Sequence, residues 1–139
     1  MLKLSLLFLL VLLQSPTHAL AEEILVITNA TKRVELSKED CRDIFLGTKT
    51  LFEGWRPAPV DQDKTSALRE QFYKIMGFSP TQLKAYWAEQ VFTGRARQPQ
   101  LQFNNEAVIQ KVLSDPNAIG YVSSGADTSK VNVALRLQN

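Results

Sequence analysis

The chain has 139 residues, 16 Lys and Arg against 14 Asp and Glu, a formal net charge of +2 and 45% hydrophobic residues. These values fit one globular domain with a modest core and exclude a disordered or fibrous chain. The near-balanced charge argues against nucleic acid as a partner, and one histidine (His18) and one cysteine (Cys41) leave few chemistries open.

Residues 1–21 read as a secretory signal peptide. Lys3 is the positive start, Leu4 to Leu13 is an apolar run broken only by Ser5, and Ala19-Leu20-Ala21 is a small–x–small cleavage pattern before Glu22. The run stops at Gln14-Ser15-Pro16-Thr17, short of the roughly 20 apolar residues that a spanning helix needs. The expectation is a protein exported to a periplasm or out of the cell, with residues 22–139 as one domain. His18 leaves with the signal, which removes a Ser–His triad, a Cys–His pair and a histidine metal site. No nucleophile–base pair is visible, so neither enzymatic activity nor a cofactor is expected. Cys41 has no partner for an internal disulfide, and its place on a helix face makes it a small buried hydrophobe.

Glu23 to Thr28 holds a short continuous apolar run, the pattern of a strand buried on both faces. Ser37-Lys38-Glu39-Asp40 is a capping box, with Leu36 before the cap and Cys41 at the staple position. Cys41, Ile44 and Phe45 give the helical stripe, and Gly47 ends it. After a loop over 48–57, Ala58-Pro59-Val60 reads as a short strand. A second helix starts near Thr65 or Ser66, carries Leu68, Phe72, Ile75 and Met76, and stops at Gly77. A third is capped by Ser79 with Pro80 in the first turn and Gln82 completing the box; Leu83, Tyr86, Trp87 and Val91 are expected in its core face. Residues 93–99 read as a polar loop. Asn104 caps a fourth helix carrying Val108, Ile109, Val112 and Leu113, which Asp115-Pro116-Asn117 breaks. Ala118 to Val122 is another buried strand. Val131, Val133, Leu135 and Leu137 alternate, so 130–137 reads as a last strand with one wet face. Strands separated by helices mean α/β with a mostly parallel sheet and helices on both faces. Ligands in such sheets sit at the carboxyl ends of strands, near helix starts.

That directs attention to Val60 through Arg69. A strand end running into a helix offers unpaired N–H groups and the positive end of the helix dipole. Lys64, Thr65, Ser66, Ala67 and Arg69 could form an oxyanion cradle there; an ordinary N-cap by Asp63, Thr65 or Ser66 is the plainer alternative. Asp61 and Asp63 are too few carboxylates for a hard cation, and no metal is expected. Arg95 and Arg97 read as a solvated loop, Trp55 and Trp87 as core, and Asn29-Ala30-Thr31 as a chance match to a glycosylation sequon.

Ile44-Phe45-Leu46-Gly47, Trp55, Pro59-Val60-Asp61, Ser66 to Phe72, Ala85-Tyr86-Trp87 and Asn117 to Val122 follow one another in an order that resembles the phosphate ABC-transporter substrate-binding proteins, of the type II periplasmic binding class. The resemblance covers about residues 24–123. It implies one three-layer lobe of a fold that usually has two, with Ile24 to Thr28 and the segment after Val122 as hinge strands and the final strand finishing the sheet by itself or on a neighbour. The family's anion-binding helix start reads Ser-Gly-Thr, with an arginine four residues before the serine and often an acid two before. Ser66 matches the serine; Ala67, Leu68, Gln62 and Lys64 stand where the family has Gly, Thr, Arg and the acid. One hydroxyl and the bidentate guanidinium are therefore replaced, leaving Lys64 and Thr65 to compensate. The function implied is binding of phosphate or a related oxyanion, tied to phosphate uptake or sensing, with a membrane transporter or sensor, or a second copy completing a homodimer, as partner. The alternative is a ligand-free accessory module acting by protein contact.

Overall fold

All four helices of the described residues start at an expected cap, because each cap is a local hydrogen bond that the sequence itself supplies. The computed structural model describes residues 22–138; the expected signal peptide lies outside them. In α1 (Lys38–Phe45), Ser37 and Asp40 complete the reciprocal capping box, and Leu36 and Cys41 are buried together as its staple. Ser66 caps α2 (Ala67–Ile75). Ser79 and Gln82 box the start of α3 (Pro80–Thr93). Asn104 caps α4 (Asn105–Ser114) by accepting from the Ala107 N–H.

Five strands, β1 (Ile24–Asn29), β2 (Ala58–Gln62), β3 (Gln100–Gln102), β4 (Ala118–Ser123) and β5 (Val131–Leu137), form one sheet in the order β3-β2-β4-β1-β5. β3, β2 and β4 run parallel. β1 runs antiparallel to both β4 and β5. The α/β lobe is as expected, with its parallel core at β3-β2-β4. Ile24 pairs with Ser123, so the start of the first expected hinge strand lies beside the start of the segment after Val122, expected as the second. The sequence pattern assigns no element to 100–102; its three residues carry no apolar pattern and become β3 by pairing with β2.

The continuous apolar runs of β1 and β4 exist because both faces of the sheet are covered. Ile24, Val26, Ile119 and Tyr121 pack with Cys41, Phe45, Phe72, Leu83 and Trp87 of α1, α2 and α3. Leu25, Ile27, Val60 and Val122 pack with Val108 and Val112 of α4 on the other face. Three expectations are corrected. Val91 is 54% exposed, since Leu83 and Trp87 already cover the face of α3 that meets the core. Leu113 likewise lies at the rim of α4, 36% exposed. β5 does not have one wet face. Val26 pairs with Leu135 and Ile27 with Val133, so Ala134 is an extra residue, a β-bulge that shifts the alternation. Val131 and Val133 then pack on the α4 side while Leu135 and Leu137 pack on the α1 side. The Ala134 carbonyl accepts from the Leu36 N–H instead.

Cys41 is fully buried, and that burial pushes its thiol up, out of the reactive range. Trp55 and Trp87 are core residues, as expected. The Asn29 amide donates to the Val112 and Leu113 carbonyls at the end of α4, a structural role for the sequon asparagine. No helix among the described residues is long and apolar enough to cross a membrane.

Candidate functional site

The carboxyl ends of β2 and β4 meet the starts of α2 and α4, one helix on each face of the sheet. Between them lies a cleft of about 390 Å³ lined by Gln62, Ser66, Ala67, Asn104, Asn105 and Ser123, together with Glu22, Leu68, Gln71 and Phe103. Its side chains are held by each other. Gln62 donates to Asn105 Oδ1 (3.0 Å) and to the Tyr121 carbonyl (3.1 Å), and Asn105 Nδ2 donates to Ser123 Oγ (2.7 Å). Ser66 Oγ accepts from the Arg69 N–H at 3.3 Å, which leaves its own proton to donate outward, as Ser123 can. The first N–H groups of each helix, at Ala67 and Leu68 and at Asn105 and Glu106, have no acceptor within the helix. Two helix starts and two hydroxyls thus converge on one space, a donor-rich arrangement suited to an oxyanion. No lysine or arginine lines it.

The five residues proposed from sequence are therefore not one cradle. Ser66 and Ala67 line the cleft. Thr65 Oγ1 donates to Asp63 Oδ2 at 2.6 Å, inside the turn. Lys64 and Arg69 line a different hollow of about 520 Å³ on the α3 side. The cause is Asp61. Its carboxylate is fully buried at the end of β2 and draws Arg69 back beneath the helix: Arg69 Nε donates to Asp61 Oδ2 at 3.2 Å. The Tyr73 hydroxyl donates to the same oxygen at 2.7 Å. The other oxygen accepts from the Gln62 N–H at 2.8 Å and from the Tyr121 hydroxyl. All four donors point at one carboxylate, and Arg69 also stacks over the Tyr73 ring, 5.1 Å from its centroid. From sequence, Asp61 is weighed as a ligand only beside Asp63, for a cation, and otherwise figures only in the Pro59-Val60-Asp61 piece of the resemblance. Its side-chain partners lie 8 to 60 residues away, so no local spacing could reveal them.

Burial, and next the Asp61 charge, push Tyr73 and Tyr121 well above the ordinary tyrosine range. A raised native pKa means that the stability is present below the unfolded value, near 10, and is lost as pH rises above it. The stability read from urea unfolding should therefore hold to about pH 10 and then fall, by up to about 1.4 kcal/mol per pH unit for each tyrosine. Tyr73→Phe should lessen the slope; a flat profile to pH 12 would contradict the network.

Neither a family model nor a curated protein matches the sequence. Solved structures do match. A protein of Clostridium perfringens described as a phosphate ABC transporter substrate-binding protein, with bound phosphate, is 22% identical with a TM-score of 0.67, covering 83% of this chain and 45% of its own. An ABC-type phosphate transport receptor from Vibrio cholerae is 18% identical with a TM-score of 0.66, covering 82% and 46%. PstS from Borrelia burgdorferi is 17% identical with a TM-score of 0.62, covering 82% and 47%. The chain has the fold of these proteins over about half of their length. The first two are described as a substrate-binding protein and a transport receptor.

Proposed function

We propose that this chain is an exported, periplasmic binding protein-like domain that takes phosphate or a related oxyanion in the cleft between the starts of α2 and α4, in the service of phosphate uptake or sensing. One observation carries the reading: two helix starts and the hydroxyls of Ser66 and Ser123 face a single space at the carboxyl ends of parallel strands. Support comes from the fold shared with proteins described as phosphate-binding. Recognition rests on Ser66, Ala67 and the facing Asn105–Ser123 pair, with Lys64, Thr65 and Arg69 outside the first contacts. Without a guanidinium in the cleft, and with the acidic Glu22 among its lining residues, binding is weaker than a bidentate arginine would give. A second surface that covers the cleft would strengthen it by excluding water. Phe103, a lining residue that is 86% exposed, is placed to meet such a surface, on a membrane transporter, a sensor or a second copy.

Isothermal titration of residues 22–139 with phosphate and sulfate tests this. Ser66→Ala and Ser66→Gly should each weaken binding about tenfold, the worth of about 1.4 kcal/mol for one hydrogen bond to a charged ligand. Glycine still caps a helix within a few tenths of a kcal/mol, so the Ser66→Gly loss isolates the hydroxyl from helix stability. Equal affinity in wild type and both variants would remove Ser66 from the site.

A further inference from the structure

The hollow beside α3 shares no lining residue with the oxyanion cleft. It holds about 520 Å³, within the range of small-molecule sites. Lys64, Arg69 and Lys84 line it, and no lining residue is acidic; Glu70 sits in a smaller adjoining hollow of about 100 Å³. Lys64 and Lys84 enter no ion pair among the described residues. Its floor is one stripe of α3, where Pro80, Leu83, Trp87 and Ala88 recur at helical spacing.

Arg69 distinguishes this place from an ordinary basic surface. Its Nε–H is committed to Asp61, its plane rests on Tyr73, and its side chain is 17% exposed. The terminal nitrogens of the guanidinium have no protein acceptor among the described residues. They remain as a fixed fork, the part of arginine that grips a carboxylate, sulfonate or phosphate bidentately. A buried ion pair is expensive to desolvate, and replacing the whole pair by packed apolar residues is often as stable. What Asp61, Tyr73 and Tyr121 achieve here is to hold that fork in place.

From this geometry we infer that the α3 hollow binds a small organic anion: one phosphate, sulfonate or carboxylate group on the Arg69–Lys64–Lys84 side, carried on an apolar or aromatic body that lies over Pro80, Ala88 and the edge of Trp87. Calorimetric titration with 1-naphthyl phosphate is the test. Binding is expected with Kd below about 1 mM. Lys84→Ala and Ala88→Glu, both at exposed positions, should weaken it at least tenfold. Arg69→Lys, which keeps a charge against Asp61 but loses the fork, should do the same. 1-Naphthol, lacking the anion, should bind at least tenfold more weakly, and equimolar inorganic phosphate should not displace the ester. No binding at about 10 mM probe overturns the inference. So does full displacement by equimolar phosphate, equal affinity for 1-naphthol, or indifference to both Lys84→Ala and Ala88→Glu.

Discussion

Asp61→Ala should cost about 3–5 kcal/mol, because removing one partner of a buried ion pair strands the rest. Arg69 would keep a largely buried positive charge, and two buried tyrosine hydroxyls would lose their acceptor. For a domain of this size that is a fall in Tm of more than about 10 °C. Tyr73→Phe should cost less, about 1.5–3 kcal/mol, since the carboxylate keeps three donors. The two losses should not add in the double variant, as both break one network. Thermal and urea unfolding of the three variants checks this, and a loss below about 1 kcal/mol for Asp61→Ala would mean that the carboxylate is not closed off as described.

The second large effect is expected at Gly120, in the middle of β4. A Cβ there would lie 2.5 Å from Val108 Cγ1 and 3.6 Å from the Val60 carbonyl oxygen. Val108 is fully buried, and a β-branched side chain in a helix has one favoured rotamer, so it cannot turn away. Gly120→Ala should cost about 1–3 kcal/mol and Gly120→Val more, by pushing α4 off the sheet. Val108→Ala removes the clashing methyls, so Gly120→Ala combined with Val108→Ala should be milder than the sum of the two. Because Asn104 and Asn105 at the start of α4 form one wall of the cleft, Gly120→Val should also weaken oxyanion binding. Unchanged stability in Gly120→Val would contradict the close approach of α4 to β4.

The elements were legible where their cause is local. Ser37, Ser79 and Asn104 each close a hydrogen bond three residues on, and the buried strands announce themselves as unbroken apolar runs. The elements that escaped are made by tertiary pairing. β3 exists because Asp61 and its neighbours in β2 offer it a parallel partner, and the bulge at Ala134 follows from the register against β1. The site divides in the same way. The junction at 60–69 was recognised as the place to look, from strand-to-helix order and from the resemblance around Ser66. Its separation into a cleft and an α3 hollow was hidden, because it depends on Asp61 drawing Arg69 toward Tyr73 and on Tyr121 arriving from β4. Asn105 and Ser123, which face Ser66 across the cleft, gave no motif of their own.

A phosphate titration of the ¹⁵N-labelled domain, residues 22–139, followed at backbone amides, tests the central claim most directly. The account predicts that Ala67 and Leu68 of α2 and Asn105 and Glu106 of α4 shift together, along one saturating curve, because both helix starts face the same anion. Shifts confined to the surroundings of exposed lysines, or none up to about 10 mM phosphate, would show that the two helix starts do not form an oxyanion site.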